Sequence, residues 1–158
     1  MIGLFRGLGV PAEQFHLTGL DQQAGIGGRG MGLGTYERAA MLVVLNVNQV
    51  APTLIGQAFR DLLLKGTAPN LVNVRSQVGS FTWNQTGMSP IYAASKSALN
   101  MYTRSFACEA KPITTIAVHP GWVQTDMGGT SAPLKPEDAV AQLRALIERL
   151  TPADNGQF

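Results

Sequence analysis

The sequence predicts a single α/β domain in which helices cover a parallel sheet. Two short β-branched segments, residues 71–74 and 114–118, are typical of buried strands, and longer segments repeat their apolar residues at helical spacing. In chain order they give helix, strand, helix, strand, helix, which favours parallel strands joined by crossover helices. A chain of 158 residues suffices for one domain, residues 1–158, with a sizeable core.

The first half of the chain predicts one long helix before the first clear strand. Residues 1–20 carry no legible pattern and stay unassigned, and the glycine-rich stretch 25–34 predicts a flexible loop. The helical pattern runs over residues 35–65, and Gly66 is a plausible C-terminal cap.

The second half predicts two more helices around the second strand. A polar loop over residues 76–90 precedes a helix over about residues 92–110. The last helix opens near Pro136, whose fixed backbone and two following acids suit a first turn. Thr151 and Pro152 stop it.

Composition excludes several classes of function. The net charge of +2 is small and dispersed, so no nucleic-acid partner is predicted. One cysteine, Cys108, excludes an internal disulfide. No apolar run approaches the length of a membrane span, and the N-terminus lacks the features of a signal peptide, so a cytoplasmic protein is predicted. No metal site is predicted.

Tyr92 and Lys96 lie four residues apart and therefore on one face of the predicted helix. An ammonium about 4 Å from a phenolate stabilises it by roughly 4 kcal/mol at an effective dielectric of about 20. We therefore expect Lys96 to lower the pKa of Tyr92 towards the range in which general acid–base catalysis works best. The same spacing also arises by chance in many helices.

Polar residues follow both predicted strands. Ser76 comes after the first strand and residues 121–125 come after the second. Ligands of such folds bind beyond the carboxyl ends of the strands, so these segments face the edge that Tyr92 can reach.

Four segments in this order resemble the short-chain dehydrogenase/reductase family, most closely its small C-factor and sniffer-like carbonyl reductases. They are Asn46-Val47-Asn48-Gln49-Val50-Ala51-Pro52, Leu71-Val72-Asn73-Val74-Arg75-Ser76, Tyr92-Ala93-Ala94-Ser95-Lys96-Ser97-Ala98-Leu99-Asn100 and His119-Pro120-Gly121-Trp122-Val123-Gln124-Thr125-Asp126-Met127. The resemblance implies an NAD(P)-dependent oxidoreductase that acts on a small carbonyl or alcohol substrate, with NADP favoured, in a homodimer or homotetramer.

The resemblance also implies catalytic roles. Tyr92 is the expected general acid or base, and Lys96 lowers its pKa and holds the nicotinamide ribose. Ser76 hydrogen-bonds the substrate oxygen, although Ser80 and Ser89 lie within possible reach because the loop is long. Asn48 holds a water of a proton relay to Lys96, with Asn46 as a weaker candidate or a purely structural role as the alternative.

The resemblance places further residues at the cofactor. Besides Tyr92 and Lys96, the expected contacts are Ala24, Gly25, Pro120, Gly121, Val123 and Thr125. His119 is expected to be structural. Trp83, Met88, Trp122 and Met127 either line a substrate pocket or belong to the core and rim.

The family's phosphate-binding turn, Thr-Gly-x-x-x-Gly-x-Gly between a strand and a helix, has no convincing counterpart. Residues 25–30 fit Gly-x-Gly-x-x-Gly literally, but no clear strand and helix flank them. A better alignment places Gln22-Gln23-Ala24-Gly25 on the family's Asn-Asn-Ala-Gly motif, which ends its fourth strand.

On that alignment the fold is a partial Rossmann-like, doubly wound sheet without the family's first strands. Residues 21–158 form the C-terminal catalytic part, and residues 154–158 resemble the start of the final strand. Weak cofactor binding is expected. The alternative is a non-enzymatic remnant that acts as an oligomerising interaction module.

Overall fold

Three parallel strands form the centre of the molecule. The computed structural model describes residues 18–23, 25–28 and 30–158. The strands are β1 (Gly19–Gln22), β2 (Asn70–Val74) and β3 (Thr114–Val118), in the order β1-β2-β3. β2 and β3 confirm the two strands predicted from their β-branched residues, and β1 ends where the family alignment ends a strand.

Helices connect the strands on both faces of the sheet. A continuous helical segment comprises α1 (Arg38–Leu45), a π-helical stretch (Asn46–Val50) and α2 (Ala51–Leu63). It is followed by α3 (Pro90–Glu109) and α4 (Pro136–Ile147). The α/β fold predicted from the sequence is confirmed.

The prediction that Gly66 caps the first helix is wrong. Leu64 is the C-terminal cap, and the amides of Lys65 and Gly66 bond to the carbonyls of Leu62 and Leu63 in a tightening turn. Such three-residue turns satisfy the last carbonyls of a helix without a left-handed glycine.

Two apolar clusters cover the two faces of the sheet. Leu71 of β2 packs with Leu63 of α2 and Phe106 of α3 on one face. Val72 of β2 and Ile116 of β3 pack with Leu143 and Ile147 of α4 on the other. Because side chains alternate along a strand, neighbouring β2 residues divide between the two cores.

The C-terminal segment lies beside β3. The Gly156 amide donates to the Thr115 carbonyl at 2.7 Å, and the Ala117 amide donates to the Gln157 carbonyl at 3.1 Å. This ladder agrees with the expectation that residues 154–158 resemble the start of a further strand.

The helical segment Arg38–Leu63 is long and apolar enough to cross a membrane by length and composition alone. The sequence predicts no membrane span because no apolar run is long enough, whereas this segment is apolar on average although polar residues interrupt it. One such helix is weak evidence for a membrane span, because a core or interface helix has the same composition.

Candidate active site

Asn48 joins three parts of the site from inside the π-helical stretch. Its Oδ1 accepts from the Ile26 amide at 2.7 Å, and its Nδ2 donates to the Ile26 carbonyl at 2.8 Å and to Ser95 Oγ at 2.9 Å. The side chain is fully buried, whereas Asn46 is exposed. Both hydrogens of the Asn48 amide are used in these bonds, so Asn48 holds the segment after β1 against α3. For a bound water, its side chain offers only the remaining lone pair of Oδ1.

Lys96 points its ammonium at the end of β2. Its Nζ donates to the Val74 carbonyl at 2.9 Å and lies 5.9 Å from the centre of the Tyr92 ring. The residue is only 3% exposed, and burial lowers the pKa of Lys96 to about 8. Among the described residues, Val74 is the one hydrogen-bond acceptor that the ammonium has, so two N–H groups remain available to a ligand.

Ser76 is the serine that meets Tyr92. It follows β2 by two residues and caps a short 3₁₀ turn (Gln77–Gly79), where its Oγ accepts from the Val78 amide at 3.4 Å. The Ser76 side chain acts on the Tyr92 phenol as a hydrogen-bond partner that lowers its pKa. Of the two alternatives, Ser80 Oγ accepts from the Trp83 amide at 3.4 Å, and Ser89 makes no side-chain cap to its helix.

The expected effect of Lys96 on Tyr92 is not found. Burial raises the pKa of Tyr92 above its usual value, and the hydrogen bond from Ser76 only partly opposes this rise. The physical reason is that desolvation of the phenolate outweighs attraction to an ammonium that sits against Val74 and the face of the ring. Tyr92 is therefore a protonated phenol at neutral pH.

The 3₁₀ turn that carries Ser76 packs directly on the helix that carries Tyr92. A Cβ atom at Gly79 would lie 2.8 Å from the carbonyl carbon of Lys96 and 2.9 Å from the amide nitrogen of Ser97. Ser97 Oγ lies 2.8 Å from the Gly79 carbonyl, to which it donates. Gly79 is therefore required for the approach, and sequence reasoning missed both residues because the contact joins elements 18 residues apart.

The segment after β3 folds back on itself. Gly121 turns with a positive φ of 88°, and Val123 forms a β-bridge with Leu134. Thr125 Oγ1 accepts from the Gly128 amide at 3.1 Å. The segment starts at Pro120, at the carboxyl edge of the sheet, so the predicted cofactor residues Pro120, Gly121, Val123 and Thr125 lie on one connected loop beyond β3.

Gly25 lies against Lys96. A Cβ atom there would be 3.4 Å from Lys96 Nζ and 3.6 Å from Asn48 Oδ1. The open backbone beside an ammonium with free N–H groups fits a ribose diol. The prediction for the neighbouring Ala24 lies outside the described residues.

The glycine-rich stretch does not form a phosphate-binding turn. β1 precedes it but α1 begins only at Arg38, which agrees with the expectation that the stretch does not lie between a strand and a helix. Within the described ranges, no helix N-terminus follows the stretch directly. Next to it, both amide atoms of Gln22 are buried without a hydrogen-bond partner, which agrees with a glutamine that is longer than the asparagine of the family motif.

Four large apolar residues of the two loops around the site are exposed rather than core: Trp83, Met88, Trp122 and Met127. The core alternative is therefore wrong for all of them. Their place is the surface of the loops that follow β2 and β3.

The chain belongs to the short-chain dehydrogenase family. The family model described as "short chain dehydrogenase" matches residues 10–135, which is more than half of the chain. The C-signal of Myxococcus xanthus is 36% identical over 141 residues, covering 88% of this chain and 85% of that protein. The short-chain dehydrogenase srdF of Neurospora crassa is 36% identical over 135 residues, covering 75% of this chain and 52% of its own length.

Solved structures give the same result. The carbonyl reductase Sniffer of D. melanogaster superposes with a TM-score of 0.88 at 32% identity, over 98% of this chain and 67% of that chain. The NADPH-bound carbonyl reductase from chicken fatty liver gives 0.85 at 30% identity, over 98% and 66%. The chain thus spans about two thirds of these reductases and about half of the fungal dehydrogenase.

Proposed function

We propose that the chain catalyses the NAD(P)H-dependent reduction of a small carbonyl substrate, or the reverse oxidation of an alcohol, with Tyr92 as the proton donor. One observation carries the proposal: the Lys96 ammonium lies 5.9 Å from the centre of the Tyr92 ring, and the Ser76 side chain acts on the same phenol and lowers its pKa. This places a phenol, a hydroxyl and a buried cation at the carboxyl edge of a parallel sheet, where ligands of such folds bind.

Tyr92 is suited to give a proton in the reductive direction. Burial raises the pKa of its phenol, so it holds the proton at neutral pH. A carbonyl oxygen that accepts a pair of electrons becomes an alkoxide, which is far more basic than a phenol. Transfer of the Tyr92 proton to that oxygen is therefore favourable, and it yields the alcohol and a phenolate.

Ser76 and Lys96 stabilise the charges that this transfer creates. The Ser76 hydroxyl can donate to the substrate oxygen while negative charge develops there. The ammonium of Lys96 stabilises the phenolate that remains, and its pKa of about 8 keeps it mostly protonated at neutral pH.

The nicotinamide half of the cofactor has suitable contacts. Lys96 and the open backbone at Gly25 would hold the ribose, and the loop from Pro120 to Thr125 would border the nicotinamide. A bound nicotinamide cofactor would supply the hydride that adds to the carbonyl carbon. The carbonyl reductase from chicken fatty liver binds NADPH, which favours NADP as the cofactor of this chain, and weak binding stays a prediction. The cytoplasmic location is likewise proposed.

The test separates binding from chemistry. Isothermal titration with NADPH and NADH measures binding, and we expect affinity weaker than micromolar. Oxidation of NADPH in the presence of small aldehydes and ketones measures turnover, which Tyr92→Phe abolishes while the exposed Tyr36→Phe does not. Binding without turnover in the unmodified protein, or equal turnover in Tyr92→Phe, contradicts the proposed function.

A second candidate function, an oligomerising module, is favoured by an apolar surface on the long helix. Leu42, Val43, Val50, Leu54 and Ile55 are exposed along Arg38–Leu63. Exposed apolar side chains in such number mark an interaction surface, and we propose that a second copy of the chain covers them.

Light scattering tests this assembly. Leu54→Asp, at a side chain that is 57% exposed, is expected to give a monomer. Val140→Asp is the matched control, since Val140 is 52% exposed on α4, away from this surface. A dimer without cofactor binding favours the module, whereas a monomeric unmodified chain contradicts it.

A further inference from the structure

We propose that Asn84 is a positioning residue that holds the Ser76 hydroxyl in register with Tyr92. The proposal rests on the catalytic roles proposed for those two residues. The loop between them has an unusual burial pattern, because every side chain from residue 81 to residue 89 is exposed except that of Asn84. A half-buried amide in an otherwise exposed loop needs partners.

Asn84 ties the two ends of the loop together. Its Nδ2 donates to the Val78 carbonyl at 3.0 Å and to the Met88 carbonyl at 3.1 Å, and its Oδ1 accepts from the Met88 amide at 3.0 Å. The reverse orientation of the amide would set its oxygen against two carbonyls, so the network fixes which atom is nitrogen.

Each end of this link leads to a proposed catalytic residue. Val78 also donates its amide to Ser76 Oγ at 3.4 Å, so Asn84 and Ser76 hold the same residue from two sides. Met88 is followed by Ser89 and Pro90, where α3 begins two residues before Tyr92. Ser76 in turn acts on the Tyr92 phenol and lowers its pKa, which connects the two ends of the link.

The second end of the loop is strained and needs the support. Ser89 adopts a left-handed conformation with φ 50°. Such a conformation is unfavourable for a residue other than glycine. The two bonds from Asn84 to the backbone of Met88 hold the chain immediately before this turn, and so fix how α3 starts.

Loss of the Asn84 side-chain amide therefore has a specific effect on Ser76. Without Asn84, the 3₁₀ turn keeps its contact with α3 through Gly79, but the Val78 carbonyl loses the bond that holds this residue in place while its amide donates to Ser76. The hydroxyl then leaves Tyr92, and the phenol loses the interaction that opposes the effect of burial.

The test reads the state of Tyr92 without turnover or cofactor. With ring-¹³C tyrosine, the NMR titration of Tyr92 is assigned by its loss in Tyr92→Phe. We expect the midpoint of Tyr92 to move to higher pH in Asn84→Ala and in Ser76→Ala. In the double variant, we expect no further movement, because both substitutions remove the same hydrogen bond.

A charge-matched pair controls for electrostatics and for folding. Asn84→Asp keeps the size of the side chain but replaces the donating amide with an acceptor, and Gln85→Glu adds the same charge one residue away in the exposed part of the loop. We expect the Tyr92 midpoint in Asn84→Asp to shift as far as in Asn84→Ala, and the midpoint in Gln85→Glu to shift little. If Asn84→Ala does not fold, Asn84→Asp replaces it in the test.

Three titration results overturn the proposal, as does one folding result. They are an unmoved midpoint in the folded Asn84 variants, equal shifts in Asn84→Asp and Gln85→Glu, and shifts of Asn84→Ala and Ser76→Ala that add. If both Asn84 variants fail to fold while Gln85→Glu folds, Asn84 is a stability residue and the positioning role is wrong. Loss of turnover with normal titration contradicts only the proposed function.

Discussion

Replacing Gly79 with alanine tests how closely the Ser76 turn must approach α3. The added Cβ would lie 2.8 Å from the carbonyl carbon of Lys96, 2.9 Å from its Cβ and 2.9 Å from the Ser97 nitrogen. Carbon atoms in ordinary contact are about 3.5–4.0 Å apart, so the turn and the helix must separate by roughly 0.6–1 Å. Two of the three atoms are backbone and cannot swing away.

This separation has two measurable consequences. Overpacking of a tight contact costs about 1–3 kcal/mol, which urea unfolding followed by circular dichroism resolves at an unchanged m-value. A displacement of about 1 Å between catalytic groups costs on the order of 100-fold in rate, so carbonyl reduction falls more steeply than stability alone requires.

Gly32→Ala is the matched control for this substitution. A Cβ at Gly32 meets no atom within 4 Å, and its φ is not in the left-handed region. We expect that variant to be unchanged or more stable by less than about 1 kcal/mol. If Gly79→Ala is as stable as Gly32→Ala and as active as the unmodified protein, the inferred close packing of the turn is wrong.

Three further substitutions test individual contacts. Lys96 has a pKa of about 8 in the folded chain against 10.5 in the unfolded chain, so the unfolded chain binds more protons between these values and stability rises with pH through that window. Lys96→Met should remove this rise, which unfolding measured at several pH values detects. At pH 7 the variant should be more stable by about 2 kcal/mol, which is the gain from removing a buried charge less the loss of its hydrogen bond. Asn155→Ala should cost about 1–3 kcal/mol in urea unfolding, because Asn155 Oδ1 accepts from the buried Thr115 amide at 2.8 Å. Gly56→Ala should lower the melting temperature because the added Cβ would overlap the Tyr102 hydroxyl. A second substitution, Tyr102→Phe, should restore part of the lost melting temperature, and an unchanged melting temperature in Gly56→Ala contradicts the overlap.

The sequence predicted the elements whose patterns are local. β2 and β3 follow from β-branched runs that only a buried strand explains, and α3 and α4 follow from apolar residues at helical spacing. The proline and acids at the start of α4 marked its first turn. Helix ends were less well predicted, since the turn after α2 closes with backbone bonds in which Gly66 has no special conformation.

The candidate site was predicted as a set of residues rather than as a geometry. The order of Asn48, Ser76, Tyr92 and Lys96 along the chain carried the resemblance to the family. The choice of Ser76 over its neighbours depended on the 3₁₀ turn after β2, which is set by contact with α3. Asn84 and Gly79 carry no motif of their own, because they act through backbone groups of other elements.

The sequence by itself determined the family and the α/β architecture, and it predicted which side chains carry the proposed proton chemistry, because these depend on residue types in a fixed order. Only the tertiary structure decided the pKa shifts of Tyr92 and Lys96. Burial raises the pKa of Tyr92 and lowers that of Lys96, in each case disfavouring the charged form. Desolvation depends on how many atoms surround a group from every direction, which no spacing along the chain reveals.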